Sequence, residues 1–170
     1  MFPKKEMLVG LAIAAAFAAP VGMAQSDGSS MHSKQDAVFV AKASSGGLTE
    51  VAASKLAEAH AKSDDVKSFA NTMIADHTKV GDELAQTAQK DGYTPATGPT
   101  SSQQAKLTKL GTLNGEAFDK AYKSMMVMDH QQTATLFKKE AASGKNSDLK
   151  SFASETLPTL ENHLAMATKL

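Results

Sequence analysis

Val66-Lys-Ser-Phe69-Ala70-Asn-Thr-Met73-Ile-Ala-Asp76-His77 decides how this chain is read, together with Met126-Val-Met-Asp129-His130. Both stretches contain Met-x-x-Asp-His in the middle of a long amphipathic segment. At about 100° per residue, Val66, Ala70, Met73, Leu84 and Ala88 fall within roughly 40° of His77, which places that ring in an apolar stripe. A buried polar group costs free energy unless it is paired or bound. These groups therefore either satisfy one another between helices or hold something.

Working outward, four helical segments are predicted. Helix A runs from about Gln35 to Lys62, with Ser33-x-x-Asp36 at its start and Gly46-Gly47 weakening its middle. Ser63 caps helix B, which carries Asp64 and Asp65 at its positive end, reaches about Lys90 and stops at Gly92. Tyr93 to Ser102 is the long connection. Helix C starts near Gln103, is interrupted or kinked around Gly111 to Gly115 and continues to about Ser143. After a turn at Gly144-Lys145-Asn146, Ser147 caps helix D, which runs to about Lys169 with a kink expected at Pro158. No alternating run is long enough to compete as a strand. The expected fold is all-α, an antiparallel four-helix bundle in up-down-up-down order over residues 35–170. Val66-Lys-Ser-Phe69-Ala70 recurs as Leu149-Lys-Ser-Phe152-Ala153, each after a Ser-Asp helix start, so the chain reads as two helical hairpins of related design.

The first residues have another purpose. Lys4 and Lys5 precede an apolar run from Met7 to about Ala19, and Gly22-Met23-Ala24 supplies the small residues a signal peptidase reads. Residues 1–24 are expected to be a secretory signal peptide, followed by a small, polar tether over 25–34 that includes His32. The run is short for a membrane span, which needs about 20 apolar residues. No transmembrane segment is expected after cleavage, and the expected location is the periplasm, either free or associated with the envelope. There is no cysteine, which excludes disulfides, thiolate ligands and a lipid anchor on cysteine. The 18 basic residues balance 18 acidic ones, and every basic residue is Lys. A near-neutral chain without the bidentate Arg fork does not suit a nucleic-acid partner. Protein partners are left open.

Inward polar groups carry the chemistry. Glu50 shares a face with Phe39, Ala43 and Ala57, and His163 shares one with Phe152, Leu160 and Ala167. On helix C the stripe comprises Phe118, Tyr122, Met125, Met126, Leu136 and Phe137, with Asp129 inside it and His130 on its flank. Glu50 lies thirteen residues before Ser63 and His77 fourteen after, so an antiparallel hairpin sets them level. His130 lies sixteen before Asn146 and His163 seventeen after. If the hairpins dock in register, Glu50, His77, His130 and His163 converge mid-bundle as candidate ligands for one transition-metal ion, zinc, copper, iron or nickel. Asp76 and Asp129 could orient the rings, and Met73 and Met126 flank them, although Met is also a common filler of helical cores. His60 reads as a residue of the helix A terminus. No His follows a Glu by three residues, since Ala57, Ile74, Val127 and Leu160 hold those positions, which argues against a di-iron carboxylate centre. Nucleophile motifs, phosphate loops and dinucleotide fingerprints are also missing.

A further set of motifs extends over most of the chain: Gly47-x-x-Glu50-Val51, Val66-Lys-x-Phe69-Ala70-x-x-Met73-x-x-Asp76-His77, Gly115-x-x-Phe118-Asp119-x-x-Tyr122, Asp129-His130 and Leu157-Pro158-x-Leu160-x-x-His163-Leu164. With them the sequence resembles the bacterial exported family catalogued as domain of unknown function 4142. The resemblance implies a ferritin-like bundle exported from the cytoplasm and no established activity. The leading expectation is a non-enzymatic periplasmic bundle that holds a metal ion in its core. Its competitor is a structural or stress-related envelope protein in which the His, Glu and Asp groups form a purely structural network. An oxidase or peroxidase with an open metal position stands third.

Overall fold

The computed structural model describes residues 33–170, so the expected signal peptide and nearly all of the expected tether lie outside the described residues. Among the described residues the chain is all-helical. The first helix, α1 (Lys34–His60), starts where Ser33 Oγ accepts the Asp36 N–H, and it runs unbroken through Gly46-Gly47. The second, α2 (Asp64–Lys90), is capped by Ser63 as expected. Its far end closes on Gly92 at φ +76°: the Tyr93 N–H reaches the Ala88 carbonyl and the Gly92 N–H reaches that of Gln89. Both bonds satisfy terminal carbonyls, and the left-handed turn suits glycine.

The expected helix C is two helices. A ten-residue α3 (Ser101–Leu110) begins at a capping box in which Thr100 and Gln103 bond reciprocally, and it ends at Gly111. The chain turns through residues 112–114, and α4 (Gly115–Ser143) starts at Gly115, whose φ of +62° would strain any larger residue. The fifth helix, α5 (Ser147–Lys169), is capped by Asn146 rather than Ser147; the Asn146 side chain accepts the Leu149 N–H at 2.9 Å. It stays helical through Pro158.

Four long helices form a ring in which α1 packs on α2 and α4, while α5 packs on α4 and α2. The order differs from the expected up-down-up-down. Lys62 pairs with Glu116 at 2.7 Å, and His60 stacks on Phe118 with ring centroids 5.6 Å apart, so α4 begins beside the end of α1. Helix α4 therefore runs in the direction of α2, and the order is up-down-down-up. The connection over residues 91–114 carries the chain the length of the ring, with Leu107 and Leu110 of α3 buried on the way. Among the described residues, no helix is long and apolar enough to cross a membrane.

The interior is layered. Near the α1–α2 turn, Ala57, Phe69, Met73, Phe118, Tyr122 and Met126 share one apolar cluster. Near the α4–α5 turn, Phe39, Leu84, Phe137, Leu149, Phe152 and Leu160 share another. On every long helix the residues between these clusters are where Glu50, His77, His130 and His163 fall.

Candidate metal centre

All four of these side chains are 5 % exposed or less. His77 comes from the α2 stripe and His163 from α5. His130 was expected on the flank of α4 with Asp129 inward, and the structure reverses them: His130 is fully buried and Asp129 half-buried. The reason is the spacing of the face, which runs Phe118, Tyr122, Met126, His130 and Ala134 in steps of four. Met125 and Leu136 lie at its edges, half-buried, and had drawn the expected stripe toward Asp129.

The three rings converge. Centroids of His77 and His130 lie 5.5 Å apart, those of His77 and His163 5.3 Å, and those of His130 and His163 5.5 Å. One nitrogen from each ring lies within 4.8 Å of the other two. Two of the rings are held by hydrogen bonds on their other nitrogen. His130 Nδ1 meets the Met126 carbonyl at 2.9 Å; a carbonyl only accepts, so the ring proton sits on Nδ1. His163 Nε2 meets Asp76 Oδ2 at 2.9 Å, which draws its proton to Nε2. His77 Nδ1 faces Glu50 Oε2 at 3.3 Å. The remaining nitrogens, His77 Nε2, His130 Nε2 and His163 Nδ1, are buried without a hydrogen-bond partner. Unpartnered buried acceptors cost about 1–3 kcal/mol each, so a shared cluster of three is a place for a cation.

Glu50 does not belong to the three-nitrogen group. Its oxygens lie 3.3 Å from His77 Nδ1 and 3.4 Å from His130 Nδ1, behind the rings, so it faces the held side of the imidazoles. Ion-pair distances do not make these ion pairs. Burial pushes the Glu50 carboxyl up to about 8, helped by the Asp129 charge. Burial pulls His77 down to about 3, with His130 and His163 adding to the effect. Burial likewise takes His130 to about 4, although its bond to the Met126 carbonyl works the other way. At neutral pH the Glu50 acid and the His77 and His130 rings are uncharged, which leaves those two imidazoles free to donate a lone pair.

Residues 21–170 match the family described as Domain of unknown function (DUF4142). The chain belongs to this family. The DUF4142 match takes in all five helices of the described residues and every residue of the centre, whereas no curated protein and no solved structure matches the chain.

The remaining candidates separate. Asp76 contacts a ring; Asp129 acts on Glu50 through its charge, and burial raises its own carboxyl against the nearby Lys106. The Met73 and Met126 side chains belong to the apolar cluster below the rings. Met126 contributes to the centre through its main-chain carbonyl, a role that its i−4 spacing from His130 could have suggested. The Tyr122 hydroxyl and Ser54 Oγ, 2.7 Å apart and buried, form a polar contact that sequence reasoning missed. His60 contacts Asn114 Oδ1 at 3.0 Å, away from the centre.

Proposed function

We propose that this protein is an exported four-helix bundle of ferritin-like design, whose centre binds one transition-metal ion through His77, His130 and His163. The observation that carries this reading is the convergence of three buried imidazoles, one nitrogen of each within 4.8 Å of the other two, with one nitrogen on every ring lacking a hydrogen-bond partner. Three nitrogen donors, two of them on rings oriented by a carbonyl and a carboxylate, suit zinc, copper, iron or nickel, and they leave further coordination positions open. Glu50, on this reading, stands beside the Nδ1 atoms of His77 and His130 rather than ligating, as its distances of 3.3 and 3.4 Å to them support. The up-down-down-up order with one long crossover supports the ferritin-like assignment. Export rests on the Lys4-Lys5, apolar and small-residue pattern of residues 1–24, which would leave the bundle in the periplasm as residues 35–170 behind a short tether.

Elemental analysis and calorimetry of the purified chain test the assignment. The expected result is one ion per chain, lost in His130→Ala and in His163→Ala, with Glu50→Gln weakening but not abolishing binding. A chain that takes up no zinc, copper, iron or nickel while folded rejects the reading. The competing reading is a purely structural network, in which the same groups satisfy one another and the folded chain takes up no ion.

A further inference from the structure

A second feature adjoins the centre on the side away from the free nitrogens. A cavity of about 420 Å³ opens between α1 and α2, flanked by Pro95, Ala96 and Thr97 of the connection, and penetrates to Phe137 of α4 and Leu160 of α5. Its inner wall includes Glu50 and His77, and exposed Lys55 and Asp82 stand at its outer edge. Gly47 of α1 and Gly81 of α2 also line it. Glycine inside a helix costs about 1 kcal/mol relative to Ala. Neither glycine adopts a positive φ, and neither is crowded: a Cβ at Gly81 would meet nothing within 4 Å, and one at Gly47 would meet only His77 Nδ1, at 3.8 Å. Neither backbone geometry nor packing requires glycine at these two positions, and both leave the cavity wall without a side chain. The connection is pinned beside the opening by the Ala96 N–H bonded to Ser44 Oγ at 2.8 Å.

The polar content of the cavity narrows its occupant. Both Glu50 oxygens are buried without a hydrogen-bond donor. The edge carries one charge of each sign and so does not select an ion. Walls that are otherwise largely apolar suit a hydrocarbon body, and the volume lies at the lower end of the range for small-molecule sites. We propose that this cavity binds a small, neutral organic molecule with an apolar body and one hydroxyl head, an alcohol or phenol, whose head donates a hydrogen bond to Glu50. The site uses Glu50 and the two helical glycines and does not require a metal ion on the three histidines.

The test uses the full purified chain after chelation, with 4-propylphenol as probe and propylbenzene as its headless analogue. In two-dimensional amide NMR, 4-propylphenol is expected to shift the signals of Gly47, Val51 and Gly81 saturably. It should bind about tenfold more tightly than propylbenzene, the difference one hydrogen bond to a buried acceptor supplies. Gly47→Leu and Gly81→Leu, each of which fills the space while improving helix propensity, should each weaken binding at least tenfold, with circular dichroism confirming the fold. Glu50→Gln keeps an acceptor and retains the preference for the phenol; Glu50→Leu removes it. Absence of saturable binding to the folded chain overturns the proposal. So does binding indifferent to both leucine variants, or equal affinity for the two probes. Because His163→Ala should leave phenol binding intact, failure here and failure of the metal reading are distinguishable.

Discussion

Glu140, on the last turn but one of α4, is as buried as the histidines but answers to different neighbours. Burial pushes its carboxyl up to about 7, with the Gln35 side chain and Lys150 working against that and Asp36 adding to it. Asp36 goes the other way. Its burial disfavours charge, but the N–H groups of Lys145 and Asn146, the Tyr93 hydroxyl and Glu140 hold it below the usual carboxylate range. The sign for Glu140 follows from linkage: its folded value lies above its ordinary one of 4.5, so the folded chain binds the extra proton. The stability it contributes is whole below about 4.5 and declines as pH rises through about 7. The parent chain is expected to lose melting temperature between about pH 5 and pH 8 through this group, and Glu140→Gln should flatten that fall. An unchanged slope would count against this assignment. Gly144 makes room for the same side chain, since a Cβ there would lie 2.6 Å from Glu140 Oε1 and 2.7 Å from the Glu140 carbonyl oxygen. Gly144→Ala should destabilise by about 1–3 kcal/mol in urea unfolding, as other overpacked sites do. Glu140 escaped sequence reading because a charged letter hides a core position, although it lies three residues after Phe137 on the same stripe. The histidines were legible because imidazole among alanines and methionines is conspicuous; counting residues from two turns set each hairpin's pair level, while the docking of the hairpins in register had to be assumed.

The two hairpins clamp each other through a pair of aspartates. Asp36, near the start of α1, accepts the backbone N–H groups of Lys145 and Asn146 in the α4–α5 turn, at 2.9 and 2.8 Å. Asp119, near the start of α4, accepts those of Lys62 and Ser63 in the α1–α2 turn, at 3.1 and 3.0 Å. The reciprocity extends the repeat seen at Val66 and Leu149 from sequence into tertiary structure. Burial separates the two clamps: Asp36 is fully buried and also accepts the Tyr93 hydroxyl, whereas Asp119 is half-buried. Hydrogen bonds to a charged, buried acceptor contribute more, so Asp36→Ala should cost about 3 kcal/mol or more and Asp119→Ala about 1, measured by denaturant unfolding. Similar losses at both positions would show that burial does not set the difference. Helix boundaries were readable from caps and glycines to within a residue or two, including the break between α3 and α4, which falls at Gly111 to Gly115 where the glycines pointed. The direction of α4 was not readable. Ten residues of α3 advance about 15 Å, and extended residues around them cover the rest, so residues 91–114 are long enough to return the chain to the other end. Nothing in their letters distinguishes that course from a short turn.

Across the whole molecule, a polar layer of three imidazoles and one carboxyl separates two apolar cores, and every long helix contributes to it. Without an ion, the layer is a weak seam: three nitrogens and both Glu50 oxygens are buried and unsatisfied. With an ion, His77, His130 and His163 become one link joining α2, α4 and α5 across the ring. The two states make opposite demands on His163. Replacing it with Leu removes an unsatisfied nitrogen and leaves Asp76, which is 42 % exposed, with water as a partner. In metal-free buffer, His163→Leu should therefore melt no lower than the parent chain, and higher by the equivalent of up to about 2 kcal/mol. Ion binding to the folded state alone stabilises by about 2.7 kcal/mol at one hundred times the dissociation constant. For a chain of this size that raises the melting temperature by about 5–10 °C. Zinc or copper should produce that rise in the parent chain and none in His163→Leu. If the layer only fixes packing, the substitution lowers the metal-free melting temperature and the parent chain ignores the ion, so the two midpoints measured with and without metal separate a binding centre from a structural seam.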